Sequence, residues 1–134
     1  MKRLAFCILL MIPFFGFAQH SISVEESMQL INNTKKLQIV DVRTPQEFDS
    51  IAIQKAVNID YKNPSFKDNI QVLDKTKPVL VYCRSGKRSL NAMNIMVELG
   101  FSEVYNMQGG ILAFKKQYPS FVNQPTKNNS KKAK

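Results

Sequence analysis

The sequence predicts an α/β protein, three layers deep, with helices on both faces of a mainly parallel central sheet. Three observations carry that expectation. Short apolar runs alternate with helix-period segments from Ser21 to about Phe121, the order that builds βα units. The run Pro78–Tyr82, Pro-Val-Leu-Val-Tyr, is apolar without alternation, as a strand covered on both faces must be. The segment Ser89–Leu99 is apolar around most of its circumference, so it reads as a helix pressed deeply against that strand.

Each element has a local reason. Ser23 with Glu26 three residues on is a capping box that opens a helix through about Ile31. Leu37–Val42 is a short apolar strand. Pro45 to about Ser50 is a short helix with its proline near the start. Ala56–Ile59 is a short strand, and Pro64–Leu73 a helix with apolar residues at Phe66, Ile70 and Leu73. In Ser89–Leu99, Asn91, Asn94 and Glu98 mark a narrow wet face, the methionines are core filler, and Gly100 is the stop. Val104 and Tyr105 begin a last strand, and Gly109-Gly110 leads into a helix from about Ile111 to Gln117. Ligands of such sheets sit outside the carboxyl ends of the strands, where Asp41 and Cys83 both fall.

The chain of 134 residues suits one domain, and 44% apolar with 22% charged residues is ordinary for a globular fold. Residues 1–18 stand apart. Lys2 and Arg3 precede an apolar run from Leu4 to Phe17, and Gly16 and Ala18 place small residues before a cut at Gln19. That is the layout of a signal peptide, and it makes a periplasmic or secreted location the expectation. A membrane anchor is the competing reading, but the run is shorter than the ~20 residues that span a bilayer. Residues 19–123 form the expected domain, and residues 124–134 a disordered basic tail.

The net charge of +9 overstates the basicity of the domain. The leader carries two basic residues and no acid, which leaves +7; the tail carries four lysines and no acid, which leaves +3. No nucleic-acid module is recognisable, and no aromatic residues interleave with the tail lysines. Cleavage of the leader also removes Cys7 and leaves Cys83 alone. An unpaired cysteine in an exported protein points to a reactive thiol or an intermolecular bond, while a buried structural cysteine is the bland alternative.

The neighbours of Cys83 weigh on that choice. The loop Cys83-Arg84-Ser85-Gly86-Lys87-Arg88-Ser89 lies between the most apolar strand and the most apolar helix. A helix N-terminus favours an anion. Arg84, Lys87 and Arg88 add cationic charge, and the helix-end amides and these cations together are expected to lower the thiol pKa. Ser85 and Gly86 are small enough for the loop to curl with its amides inward, as an anion-binding nest. One loop then binds an anion and presents a thiolate to it.

These residues resemble the active-site loop of the rhodanese-like superfamily. Two further segments support the resemblance in order: Asp41-Val42-Arg43 with Glu47-Phe48, and Gly109-Gly110-Ile111-Leu112-Ala113-Phe114. The match covers about Ser21 to Tyr118. It implies the rhodanese fold with Cys83 as the sulfur-accepting nucleophile, Arg84, Ser85, Gly86, Lys87 and Arg88 as substrate-binding residues, and Asp41, Arg43 and Ser89 in support. The loop from Cys83 to Arg88 is one residue shorter than that of related phosphatases and arsenate reductases, a length that goes with sulfur transfer in this superfamily. One stretch departs from the pattern. The family often has Gly-His-Ile-x-Gly-Ala where this chain has Ile51-Ala52-Ile53-Gln54-Lys55-Ala56, which leaves the turn geometry there open.

The resemblance implies a two-step transfer of sulfane sulfur through a Cys83 persulfide. The donor is a small anion such as thiosulfate, and the acceptor a thiol, sulfide, cyanide or a protein. Arg43 is expected to support the loop or pair with a carboxylate, and Asp41 and Glu47 to be structural partners. His20 is the only histidine and lies far from the loop in sequence, which argues against a Cys–His dyad. No metal-ligand spacing and no cofactor motif occur. Three rivals remain: a non-catalytic persulfide carrier, a phosphatase or arsenate reductase, and a redox sensor with an exposed thiol.

Overall fold

A computed structural model describes residues 16–125. Most of the expected leader, with Cys7, and the four lysines of the tail lie outside the described residues. The central sheet is built around β2 (Gln38–Asp41) and β5 (Val79–Tyr82), which pair in parallel from Gln38↔Val79 to Asp41↔Tyr82. Beyond β5 lies β6 (Glu103–Met107), and beyond β6 the edge strand β1 (Ala18–Ile22). The other edge is β4 (Val57–Asn58). The order is β1-β6-β5-β2-β4, and every pair is parallel.

The unbroken apolar run of β5 has the expected cause. All four of its residues are buried, because alternate side chains enter two separate cores. Val79 and Val81 pack with Phe66, Ile70, Ala92, Met93 and Met96 on one face. Leu80 and Tyr82 pack with Met28, Phe48, Ile111 and Phe114 on the other. Two cores on either side of one sheet are the three layers.

The helices follow their caps. α1 (Val24–Asn33) opens on the Ser23–Glu26 capping box, and α2 (Pro45–Ser50) on a second box made by Thr44 and Glu47. α4 (Lys87–Glu98) exposes Asn91, Asn94 and Glu98 and buries Ala92, Met93 and Met96. It ends in a Schellman arrangement: the Gly100 N–H reaches the Val97 carbonyl, the Phe101 N–H reaches that of Met96, and Gly100 takes φ +91°. α5 (Gly110–Gln117) closes the second face.

Three local expectations need correction. The helix expected over Pro64–Leu73 is shorter: α3 (Phe66–Asn69) tightens into a 3₁₀ turn at Ile70–Val72. Phe66 and Ile70 are the buried anchors, and the chain is then pulled out of the helix toward β5. The Gln38 side chain holds both the Asp74 N–H, at 2.8 Å, and the Asp74 carbonyl, at 2.9 Å. Second, β1 was not anticipated. Its centre, Gln-His-Ser, is exposed, so it lacks an apolar signature and owes its existence to pairing with β6. His20 therefore lies in a strand, stacked on Tyr105 at 5.7 Å. Third, a small antiparallel sheet joins β3 (Ala52–Ile53) to β7 (Val122–Asn123), fastening the end of the domain to the segment after α2.

That segment contains the altered Ile51–Ala56 stretch, and the turn there is intact. Ile51 is extended, so no glycine is needed at its position. Lys55, where the family pattern has its second glycine, stands in the left-handed region at φ +66°. A side chain in that conformation costs roughly 1–2 kcal/mol, partly offset because glycine loses more freedom on folding. Lys55→Gly is therefore expected to raise stability by about 0.5–1 kcal/mol, read as a higher urea midpoint at unchanged slope. A lower midpoint would mean that the Lys55 side chain contributes more than its backbone strain costs.

Candidate active site

The site forms where β5 ends and α4 begins. Gly86 carries the turn, at φ +103°, and a side chain there would press on the backbone of Met107 and Gly109 at 3.3 Å. The curl aims donors at the Cys83 sulfur. The Gly86 N–H reaches Sγ at 3.1 Å, and the Ser89 hydroxyl donates to it at 3.3 Å.

The opposite side of the loop is held by α5. The Ile111 N–H donates to the Cys83 carbonyl at 2.9 Å, and the Leu112 N–H to the Arg84 carbonyl at 3.3 Å. This contact demands a glycine at position 110. A Cβ on Gly110 would lie 2.3 Å from the Arg84 oxygen and 2.6 Å from that of Cys83, closer than non-bonded atoms can come. In the sequence, Gly109-Gly110 reads as the entry to the last helix and as a segment of the family pattern. Its role is to let the N-terminus of α5 seat on the Cys83 loop. The signal in the sequence was a glycine pair directly before a helix, which by itself names no partner.

Cys83 is buried, with 1% of its surface exposed. Burial alone would raise its pKa. Hydrogen bonds from the Ser89 hydroxyl and from the N–H groups of Ser89, Gly86 and Ser85 outweigh it, and the pKa falls below the ordinary thiol value. Of the expected sources of activation, the loop and helix-end amides are the ones that act, joined by the Ser89 hydroxyl. Arg84 and Lys87 are exposed on the outer side of the loop, and hydrogen bonds carry the shift. The Arg88 pKa is raised first by Glu47 and then, more weakly, by the Cys83 charge. The redox-sensor rival also changes, because it presumed an exposed thiol, and such sensors are solvent-accessible.

The supporting residues fall into two groups. Ser89 is fully buried and touches the sulfur directly. Asp41 and Arg43 form a buried pair at 2.6 Å on the other side of β5, near Tyr82. Arg43 also donates to the Ile51 carbonyl at 2.6 Å, while the Tyr82 hydroxyl accepts the Ile53 N–H at 3.1 Å. Of the two roles considered for Arg43, pairing with a carboxylate is the one present. Glu47 and Arg88 form a bidentate pair, both bonds 2.9 Å, that braces the start of α4 against α2. Two residues near the site were not singled out from sequence. Tyr82 is buried beneath Asp41 and Arg43, and Asn106 on β6 donates weakly to the Gly86 carbonyl at 3.5 Å. Both are strand residues: Tyr82 reads as the apolar end of β5, and Asn106 has no motif around it.

This geometry sets the Cys83 sulfur among hydrogen-bond donors that favour its ionised form, as nucleophilic chemistry of a thiol requires. Comparison with known proteins agrees. Residues 23–117 match the model of the Rhodanese-like domain, so the chain belongs to the rhodanese-like family, whose curated members include sulfurtransferases. Among similar proteins is the thiosulfate sulfurtransferase GlpE of Pseudomonas syringae pv. syringae, 41% identical over 81 residues that span 60% of this chain and 74% of that one. GlpE of Pseudomonas aeruginosa is 35% identical over 99 residues, 74% of this chain and 86% of that one. A crystal structure of a rhodanese-like domain protein from Staphylococcus aureus superposes with a TM-score of 0.64 at 28% identity, covering 71% of this chain and 90% of that chain.

Two measurements test the electrostatics. If hydrogen bonds activate the thiol, Ser89→Ala raises the pH midpoint of the Cys83 thiolate ultraviolet absorbance, whereas Arg84→Gln leaves it nearly in place. The reverse pattern would restore the cations as the cause. Glu47 is the second probe. Hydrogen bonds from Arg88 hold its pKa down at about 2, against 4.5 ordinarily. The folded state therefore binds this proton less readily than the unfolded chain. The pair's contribution is complete above about pH 4.5 and is lost as pH falls toward 2. Acid titration of stability should be shallower across that window in Glu47→Gln than in the parent; equal slopes would show that solvent screens the pair out.

Proposed function

We propose that the protein is a sulfurtransferase that moves sulfane sulfur from thiosulfate, or a similar small anion, to a thiophilic acceptor through a persulfide on Cys83. The observation that carries this reading is the Cys83 sulfur itself, activated by the Gly86 amide and the Ser89 hydroxyl at the base of a short amide loop. The names of the similar Pseudomonas proteins support thiosulfate as donor.

The Cys83 thiolate attacks the outer sulfur of thiosulfate. A Cys83–sulfur bond forms, the sulfur–sulfur bond of the donor breaks, and sulfite leaves with the bonding pair. The outer sulfur of the persulfide then lies among the N–H groups of Ser85, Gly86 and Ser89 that stabilised the thiolate. Arg84 and Lys87, exposed at the rim, attract the anionic donor. Asp41 and Arg43 hold the neighbouring strand end and take no part in bond making.

The leader-like residues 1–18 support export, and with it a periplasmic or secreted location. A cut before Gln19 would leave the β1 pairs from Gln19↔Val104 to Ile22↔Met107 in place.

Incubation with thiosulfate followed by intact mass measurement tests the chemistry. The parent protein should gain one sulfur atom and lose it on addition of cyanide, and Cys83→Ser should gain none. A parent protein that gains no sulfur would refute turnover of free thiosulfate and favour a carrier loaded by a dedicated donor.

A further inference from the structure

The rim of the loop carries features that sulfur chemistry on a small anion does not need. Among the described residues, four large apolar side chains stand exposed: Phe17, Val72, Leu90 and Leu112. Two of these occupy the first turns of the helices that meet at Cys83, Leu90 on α4 and Leu112 on α5, each 41% exposed. Beside Leu112 a cleft of about 240 Å³ opens between α2 and α5. Arg84, Ile51 and Lys115 are in its wall.

The charge of this cleft has one sign. Glu47 is the carboxylate in its wall, and Arg88 neutralises it; Arg43 is likewise matched by Asp41. Arg84 and Lys115 are exposed and form no ion pair among the described residues. Lys87, at the start of α4, is a third exposed cation of the loop. The surface thus offers apolar contact from Leu112 and Ile51 between unmatched positive charges. Its complement is an apolar side chain flanked by carboxylates.

Size decides between a small ligand and a macromolecule. Pockets that enclose small ligands run to about 300–1,000 Å³ and cover most of the ligand. This cleft is smaller and open, and it lies to one side of Cys83. It suits one or two side chains of a larger partner whose thiol reaches the loop mouth. We propose that the cleft between α2 and α5 docks an acidic, leucine-like protein segment adjoining an acceptor cysteine. The preferred acceptor of the persulfide is then a protein thiol with acidic neighbours.

This rests on the Cys83 persulfide argued above. In the transfer, the acceptor thiolate attacks the outer sulfur of Cys83–S–SH. A new sulfur–sulfur bond forms on the acceptor, that of the persulfide breaks, and Cys83 leaves as thiolate. The proton stays on the transferred sulfur, and no external oxidant or reductant is required.

The test uses full-length protein loaded with polysulfide, with loading read by intact mass. Two synthetic acceptors would be compared, each with one cysteine and one leucine, flanked by aspartates in one and lysines in the other. Cyanide serves as the small acceptor. At low salt, the rate per thiolate should be about tenfold higher for the aspartate peptide, and the gap should shrink as salt rises. Lys115→Gln should abolish that preference and Lys115→Glu should reverse it, while cyanide discharges the protein at the parent rate. Equal rates for the two peptides, or a preference untouched by both substitutions, would overturn the docking site and leave the Cys83 reading standing. Failure to load from polysulfide would remove the persulfide and the docking proposal together.

Discussion

Two backbone hydrogen bonds hold the Cys83 loop in shape, those from the Ile111 and Leu112 amides to the carbonyls of Cys83 and Arg84. A peptide unit points its carbonyl and its N–H in opposite directions. Fixing these carbonyls toward α5 leaves the amides that follow free to turn toward the sulfur. The contact is possible because Gly110 has no side chain, and because β6 lies beside β5 and delivers Gly109-Gly110 to the spot. The amide ring around Cys83 is thus a product of parallel strand pairing as much as of the loop's own residues.

This arrangement reconciles burial with reactivity. A thiol cut off from water resists ionising, and here the same walls that exclude water supply donors to the ionised form. The cations that dominate the loop's sequence play other parts. Arg88 is committed to Glu47 and ties the start of α4 to α2, while Arg84 and Lys87 are exposed to solvent. Among the described residues, the unpaired charge of the loop lies outside, and the hydrogen-bond donors lie against the sulfur.

Much of this was legible in the sequence, and the parts that were share a cause. Both two-sided burial of β5 and the wet face of α4 follow from periodicity, which reports directly on what a side chain faces. The Ser23 capping box is a contact between near neighbours in the chain, so the local sequence contains it whole. The unread parts depend on distant partners. The exposed strand β1 exists because β6 lies beside it, and Gln38 ends the α3 segment by binding Asp74 thirty-six residues away. Lys55 keeps its turn because the surrounding β3–β7 sheet holds it there in place of a glycine.

The fold class, the family and Cys83 as the candidate nucleophile were all readable from the amino-acid order alone, because strand and helix period, a glycine-bearing loop and the order of three short segments are all local signals. Tertiary structure decided how that nucleophile is activated and how accessible it is. Whether Arg88 faces the sulfur or Glu47, whether Arg43 supports the loop or Asp41, and why position 110 must be glycine depend on which elements meet across the sheet. Those meetings join residues far apart in the chain, and no local pattern records them.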